Sequence, residues 1–324
     1  MRVSLVHSRR YHIDIGPHVF PTSKYQKIID RLTASGLAAA SEVVEPQPAS
    51  WDELQLVHTA EYLARLRDGT LTDEDLRQLE LPWSLEMVEG FRTMVGGTIA
   101  AARIACGHAN FELGTVNSEE RSSSQFTVQS SKCRAVCHIG GGLHHAFPNH
   151  GEGFCPFNDV AVAVRVLQAL GAERHAIVDL DVHHGNGTAF IFERDPRVYT
   201  LSLHQQHNYP MWKPRGSRDV GLPDGVHDAT YLRELESALP GPLEHRPDCV
   251  FYLAGADPFE DDQLGGLRLT REGLRRRDRM VIDAVAAARV PLVVVLAGGY
   301  ARNIDDTVAI HCATIEEVLK LTLK

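Results

Sequence analysis

The chain has 324 residues, 44% of them hydrophobic and 23% charged, an ordinary composition for a globular protein with a large core. Its formal net charge is −9, from 42 acidic and 33 basic residues, which argues against a protein built to grip phosphate backbones. Six cysteines without a C-x-x-C pair point to reduced thiols in a cytosol-like compartment, and no apolar run approaches the ~20 residues that span a bilayer.

In chain order, Val3 to His7 reads as a short strand rather than a signal peptide. Amphipathic periodicity then predicts helices over Lys24 to Leu37, Trp51 to Arg67 and Phe91 to Ala105. Residues 112–132, rich in Ser, Glu and Gln, read as a polar surface loop. Ala135 to Ile139 is a buried strand, Asp159 to Leu170 a helix, and Ala176 to Leu180, Val198 to Leu203 and Cys249 to Ala254 are further strands. Thr270 to Ala288 is helical, and Pro291 to Ala297 is a last strand. The run Arg275-Arg276-Arg277-Asp278-Arg279 lies on that helix and reads as its solvated face, not as a nucleic-acid or nuclear-import patch. No repeat or linker divides the chain, so residues 1–324 are expected to form a single α/β domain. Its parallel sheet would carry helices on both faces.

In such folds ligands bind beyond the carboxyl ends of the strands. Gly140-Gly141-Gly142-Leu143-His144-His145 follows one strand, and Asp179-Leu180-Asp181-Val182-His183-His184-Gly185-Asn186-Gly187 follows another. Gly255-Ala256-Asp257-Pro258 and Gly298-Gly299-Tyr300 follow two more. Residues i, i+2 and i+4 of a strand share a side, so Asp179, Asp181 and His183 leave theirs together. Two carboxylates and an imidazole make a cation site suited to zinc, and Asp257 can add a further ligand. The tandem His144-His145 suits proton transfer, and Tyr300 can donate a hydrogen bond to a developing oxyanion.

Taken together these motifs resemble the zinc-dependent histone deacetylase family, whose fold is shared with arginase. The resemblance begins at Gly16-Pro17-His18-Val19-Phe20-Pro21 and Val57-His58-Thr59-Ala60-Glu61-Tyr62-Leu63. It continues through Gly141 to Ala146, Gly153-Phe154-Cys155-Pro156-Phe157-Asn158-Asp159, Val178 to Gly185 and Ser202-Leu203-His204, and it ends at Gly255-Ala256-Asp257 and Ala297 to Tyr300. It implies that Asp181, His183 and Asp257 bind the zinc ion. His145 would be the general base and then the general acid, and His144 would hold the substrate electrostatically with Asp179 as partner. Tyr300 would polarise the amide carbonyl. Gly153, Phe154 and Tyr209 would line a channel for the lysine stem, with Leu264 near the rim. Asp179 and Ser202 match side chains of the family's structural potassium or sodium site. The implied substrates are acylated lysine peptides or proteins, in the cytoplasm or, in a eukaryote, the nucleus.

Three departures stand out. Asn186 occupies the place where many members carry an aspartate behind the second histidine, as in the class IV branch and related bacterial proteins. It can orient His145 but cannot offset an imidazolium charge. Lys24 falls about where others carry an arginine in an internal channel, and the peptide-gathering Asp-Cys-Pro stretch of class I has no match near Leu81-Pro82-Trp83. Acetylpolyamine-type hydrolysis of small acylated amines is the nearest alternative. A non-catalytic acyl-lysine binder is the other, and it would have lost a ligand or a proton-transfer group.

Overall fold

The computed structural model describes residues 3–38, 42–108 and 135–322. The polar stretch 112–132 lies outside the described residues. Eight strands form one sheet: β1 (Val3–Val6), β2 (Glu42–Val44), β3 (Ala135–His138), β4 (His175–Asp179), β5 (Val198–Gln205), β6 (Arg218–Leu222), β7 (Cys249–Leu253) and β8 (Leu292–Val295). Their order is β2-β1-β3-β8-β7-β4-β5-β6, and every pairing is parallel. The expected strands are all present. The two that were not singled out, β2 and β6, lie at the edges. Arg218–Leu222 is mostly exposed, so it lacks the apolar run that marks the central strands.

The central strands β3, β4, β7 and β8 are buried along their whole length, as strands covered on both faces must be. The helices Leu85–Ala105 and Asp159–Ala169 pack together over the sheet, and Lys24–Ala34, Arg271–Ala288 and Ile304–Leu319 form a second packed group. The register fixes where the site lies. His138, Val295, Leu253, Asp179 and Ser202 occupy one row across β3, β8, β7, β4 and β5. Beyond that row β3, β8, β7 and β4 stop pairing, and each releases its glycine-rich loop at the same level.

Two expectations are corrected. The stretch Trp51 to Arg67 is not one helix but two, Trp51–Gln55 and Ala60–Asp68. Thr59 caps the second through its hydroxyl, and its N–H donates to Pro148 O at 2.8 Å, so the chain turns there. The turn buries His58, whose ring bonds Phe147 O and the Asn158 N–H, both at 3.0 Å. The arginine run is not simply a solvated face. Arg277 is fully buried, while Arg275 and Arg279 pair with Glu317 on the neighbouring helix.

Candidate active site

Four adjacent strands bring the chemistry together at the carboxyl edge of the sheet. β4 ends on Asp179 and runs on into Asp181 and His183; the loop after β7 supplies Asp257, that after β3 supplies His144 and His145, and that after β8 supplies Tyr300. The β3 loop is held by Asp159, at the start of its helix. Its carboxylate accepts from the N–H groups of Gly142 and Leu143 at 3.0 and 2.7 Å, and from the Thr98 hydroxyl at 2.5 Å. Gly142 has φ +85°, and a Cβ there would press on Ala297 Cα at 2.6 Å, so only glycine lets the β3 and β8 loops approach.

Asp181, His183 and Asp257 are all buried, and one donor atom from each falls within 4.8 Å of the others. His183 Nδ1 lies 3.0 Å from Asp181 Oδ1 and 3.4 Å from Asp257 Oδ2. That Asp257 oxygen is buried and accepts no hydrogen bond. Burial and the charge of Asp181 push the Asp257 carboxyl up. Burial works against a charged His183, yet its hydrogen bond to Asp181 and the charges of the Asp181 and Asp257 carboxylates outweigh it and lift the ring to about 10. A Cβ on Gly298 would run into both carboxylates, so the glycine keeps that space open. Crowded acceptors with an orphaned oxygen are short of positive charge, and a divalent cation with an open coordination position fits them. Among the described residues no other group of three or more His, Cys, Asp and Glu side chains converges in this way.

Beside the cluster, His144 Nδ1–H donates to Asp179 Oδ2 at 2.7 Å, and the Nε2 atoms of His144 and His145 are 3.0 Å apart. Burial is the largest influence on both rings. For His144 the carboxylates of Asp179 and Asp181 overcome it and raise the ring to about 9. For His145 it prevails, aided by the charges of His144 and His183, and the ring stays neutral far below its usual range. His145 Nδ1 is 2.7 Å from Asn186 Oδ1. The Asn186 amide then donates to Glu152 Oε1 at 2.7 Å, and the Tyr209 hydroxyl donates to the same oxygen at 2.9 Å. Glu152 was not singled out from the sequence; its only signal there is its place just before the Gly153 motif.

A narrow cavity bordered by Phe20, Gly153, Phe154 and Tyr300 leads to His145, Asp181 and His183. Phe154 stacks on Phe20 and meets the Tyr300 ring edge-on, each at 6.0 Å between centroids. Tyr209 stands edge-on to His145 at 5.0 Å, and a Cβ on Gly153 would meet both residues. Leu264, half-buried, accepts through its carbonyl from Asn208, the neighbour of Tyr209, at 2.7 Å. The Tyr300 phenol is raised by burial and then by the Asp181 and Asp257 charges, so it remains a neutral donor. Lys24 lies behind Tyr300, fully buried, with Nζ donating to Ala297 O at 2.8 Å. Asp179 and Ser202 sit side by side across the β4–β5 ladder.

The profile of the histone deacetylase domain matches residues 18–315 of this chain. The chain belongs to the histone deacetylase family. Its eight-stranded parallel sheet agrees with the family's arginase-like fold: the crystal structure of the HDA15 HD domain superposes with a TM-score of 0.78 at 26% identity, covering 99% of this chain and 89% of that one. A histone deacetylase-like amidohydrolase of Pseudomonas aeruginosa is 32% identical over 286 residues, 83% of this chain and 69% of that protein. An uncharacterized protein of Picosynechococcus sp. is 41% identical over 296 residues, 91% of this chain and 90% of that protein. Among the described residues of this histone deacetylase-family hydrolase, no helix is long and apolar enough to cross a membrane.

Proposed function

We propose that the protein hydrolyses the side-chain amide of acylated lysine in peptides or proteins, with zinc as its metal. The observation that carries this reading is one convergence. The Asp181–His183–Asp257 cluster, the His144–His145 pair and the Tyr300 phenol meet at the end of a narrow aromatic channel. A zinc ion held by Asp181, His183 and Asp257 would supply Lewis acidity toward the amide carbonyl and make a water molecule more acidic.

The chain's own groups do the rest. Neutral His145 takes a proton from the attacking water, and the water oxygen bonds to the carbonyl carbon. Tyr300 donates a hydrogen bond to the carbonyl oxygen as negative charge develops there. The carbon–nitrogen bond breaks, and His145 returns the proton to the leaving amine, so a carboxylate and lysine are released. His144, held charged by Asp179, adds positive potential beside the reacting carbonyl. Phe154, Gly153 and Tyr209 enclose the lysine methylenes, with Leu264 toward the rim. We assign Asp179 and Ser202 to a structural potassium or sodium ion that braces the β4 and β5 ends.

The segment that supplies Tyr209 continues into Met211 and Trp212, which are 96% and 59% exposed. Trp212 stacks on the buried Phe147 and meets the exposed Phe190, so an apolar patch follows Tyr209. Such a surface suits the flank of a polypeptide better than a polycation. The five described cysteines are free and buried, in keeping with a reducing cytoplasm. The test is release of lysine from peptides carrying acetyl, lactyl, octanoyl or myristoyl groups, with acetylspermidine alongside. Chelator-sensitive turnover of an acyl-lysine peptide is expected, falling by about 10²–10³ in Tyr300→Phe. Turnover of acetylspermidine alone would replace the peptide reading with the polyamine one, and no turnover by the zinc-loaded protein would sink both.

A further inference from the structure

We infer that Glu152 is a positioning residue that fixes which ring nitrogen of His145 carries the proton; this rests on His145 being the base of the proposed reaction. The inference starts from an ambiguity in Asn186. An asparagine presents an oxygen at one side of its amide and a nitrogen at the other, and turned over it would present a donor to His145 instead of an acceptor. An ionised carboxylate has no such freedom, because it only accepts. Glu152 stands at the far side of Asn186, with Oε1 at 2.7 Å from Nδ2. The NH₂ must therefore face Glu152, Oδ1 must face His145, and His145 must hold its proton on Nδ1, 2.7 Å away. The Nε2 lone pair is then left to accept, with His144 Nε2 beside it at 3.0 Å.

Everything around the carboxylate is arranged to keep it an acceptor. The Tyr209 hydroxyl donates to Oε1 at 2.9 Å and the Gln78 amide to Oε2 at 3.2 Å, while His150 Nε2 stands 3.5 Å from Oε2. These hydrogen bonds outweigh the half-burial of the group and hold the carboxyl below its usual range. No lysine or arginine pairs with Glu152 among the described residues. The missing aspartate behind the second histidine is thus answered one residue further out. Because Tyr209 shares the same oxygen, the carboxylate also ties the base to a wall of the channel.

The test uses the isosteric Glu152→Gln, whose amide offers a donor as well as an acceptor and so releases Asn186 to turn. In the zinc-loaded wild type, ¹⁵N NMR of the imidazoles is expected to show His145 with its proton on Nδ1. In Glu152→Gln a share of Nε2–H is expected, together with a fall in kcat of about tenfold or more and a KM within about twofold, since part of a general base's ~10²–10⁴ is forfeited. In an Asn186→Asp background the acceptor beside His145 is itself a carboxylate and would repel Glu152. There Glu152→Gln is expected to lower kcat far less than it does beside Asn186.

A merely structural Glu152 would give the same loss in both backgrounds, and that result overturns the inference. So does an unaltered tautomer in Glu152→Gln. Should that variant not fold, Nε2–H in the wild type alone would overturn it and Nδ1–H would support it. The NMR readout needs no turnover. A wild type that hydrolyses nothing would therefore remove the proposed activity without deciding the tautomer.

Discussion

His144 and His183 both hold protons well above neutrality because carboxylates outweigh the burial that would otherwise strip them; they titrate near about 9 and about 10, against 6.5 for a free imidazole. A histidine raised in the folded state contributes stability that is complete below the unfolded value and is lost as pH rises through the folded one. The metal-free protein is therefore expected to lose thermal stability from about pH 6.5 upward, across both folded values. A bound cation would take over the neutralising role of the His183 proton, so zinc should flatten the decline. Melting temperatures at pH 6.5 and 9.5, with chelator or with zinc, measure this; equal declines would show that these protons do not stand in for a cation. At this scale much was legible. Asp179, Asp181 and His183 declare themselves by their i, i+2 spacing off a strand, and His144-His145 by their tandem. Glu152 does not, because its role depends on Asn186, 34 positions away, through a contact no periodicity encodes.

At the scale of elements, the helix Arg271–Ala288 reaches the site through one side chain. Arg277 Nη1 donates to Gly255 O at 2.6 Å and Leu180 O at 3.3 Å, bridging β7 and β4 where their ladder has ended. Those carbonyls stand just ahead of Asp257 and Asp181. Asp278 neutralises the guanidinium, and its own carboxylate accepts from Tyr252 at 2.5 Å and Thr314 at 2.6 Å. Removing one partner of a buried ion pair leaves the other charge stranded, so Arg277→Met is expected to cost roughly 3–5 kcal/mol. Denaturant unfolding would read this, and a change under about 1 kcal/mol would show that the pair is dispensable. The sequence placed this helix correctly but assigned Arg277 to solvent. Periodicity gives a helix its apolar stripe, yet it says nothing of an arginine whose donors end on carbonyls freed by two other strands. The divided helix at Thr59 was missed for a similar reason, since its cause is a hydrogen bond to Pro148.

At the scale of the molecule, the sheet order separates two sets of groups that the site brings together. β3 carries the histidine pair and belongs with β1 and β2 on one side; β4 and β7 carry Asp181, His183 and Asp257 and belong with β5 and β6 on the other. Within the sheet the two sides meet at β8, which lies between β3 and β7. The sequence marked six strands through their apolar runs but not their order, in which the last of them lies in the middle. Pairings between distant segments form late because loop closure must come first. In refolding, hydrolytic activity is therefore expected to return together with protection of the β8 amides in pulsed hydrogen exchange. Activity that returned while those amides still exchanged freely would contradict this.

The same topology has a consequence for synthesis in the cell. In chain order the histidine pair comes first, the Asp181–His183–Asp257 trio next and Leu292–Val295 after both. Until that strand takes its place between β3 and β7, the sheet lacks the element that joins the strand of the histidine pair to the strands of the Asp181–His183–Asp257 trio. A chain that lacked Leu292–Val295 would lose the strand that holds both sets of groups at one edge of the sheet.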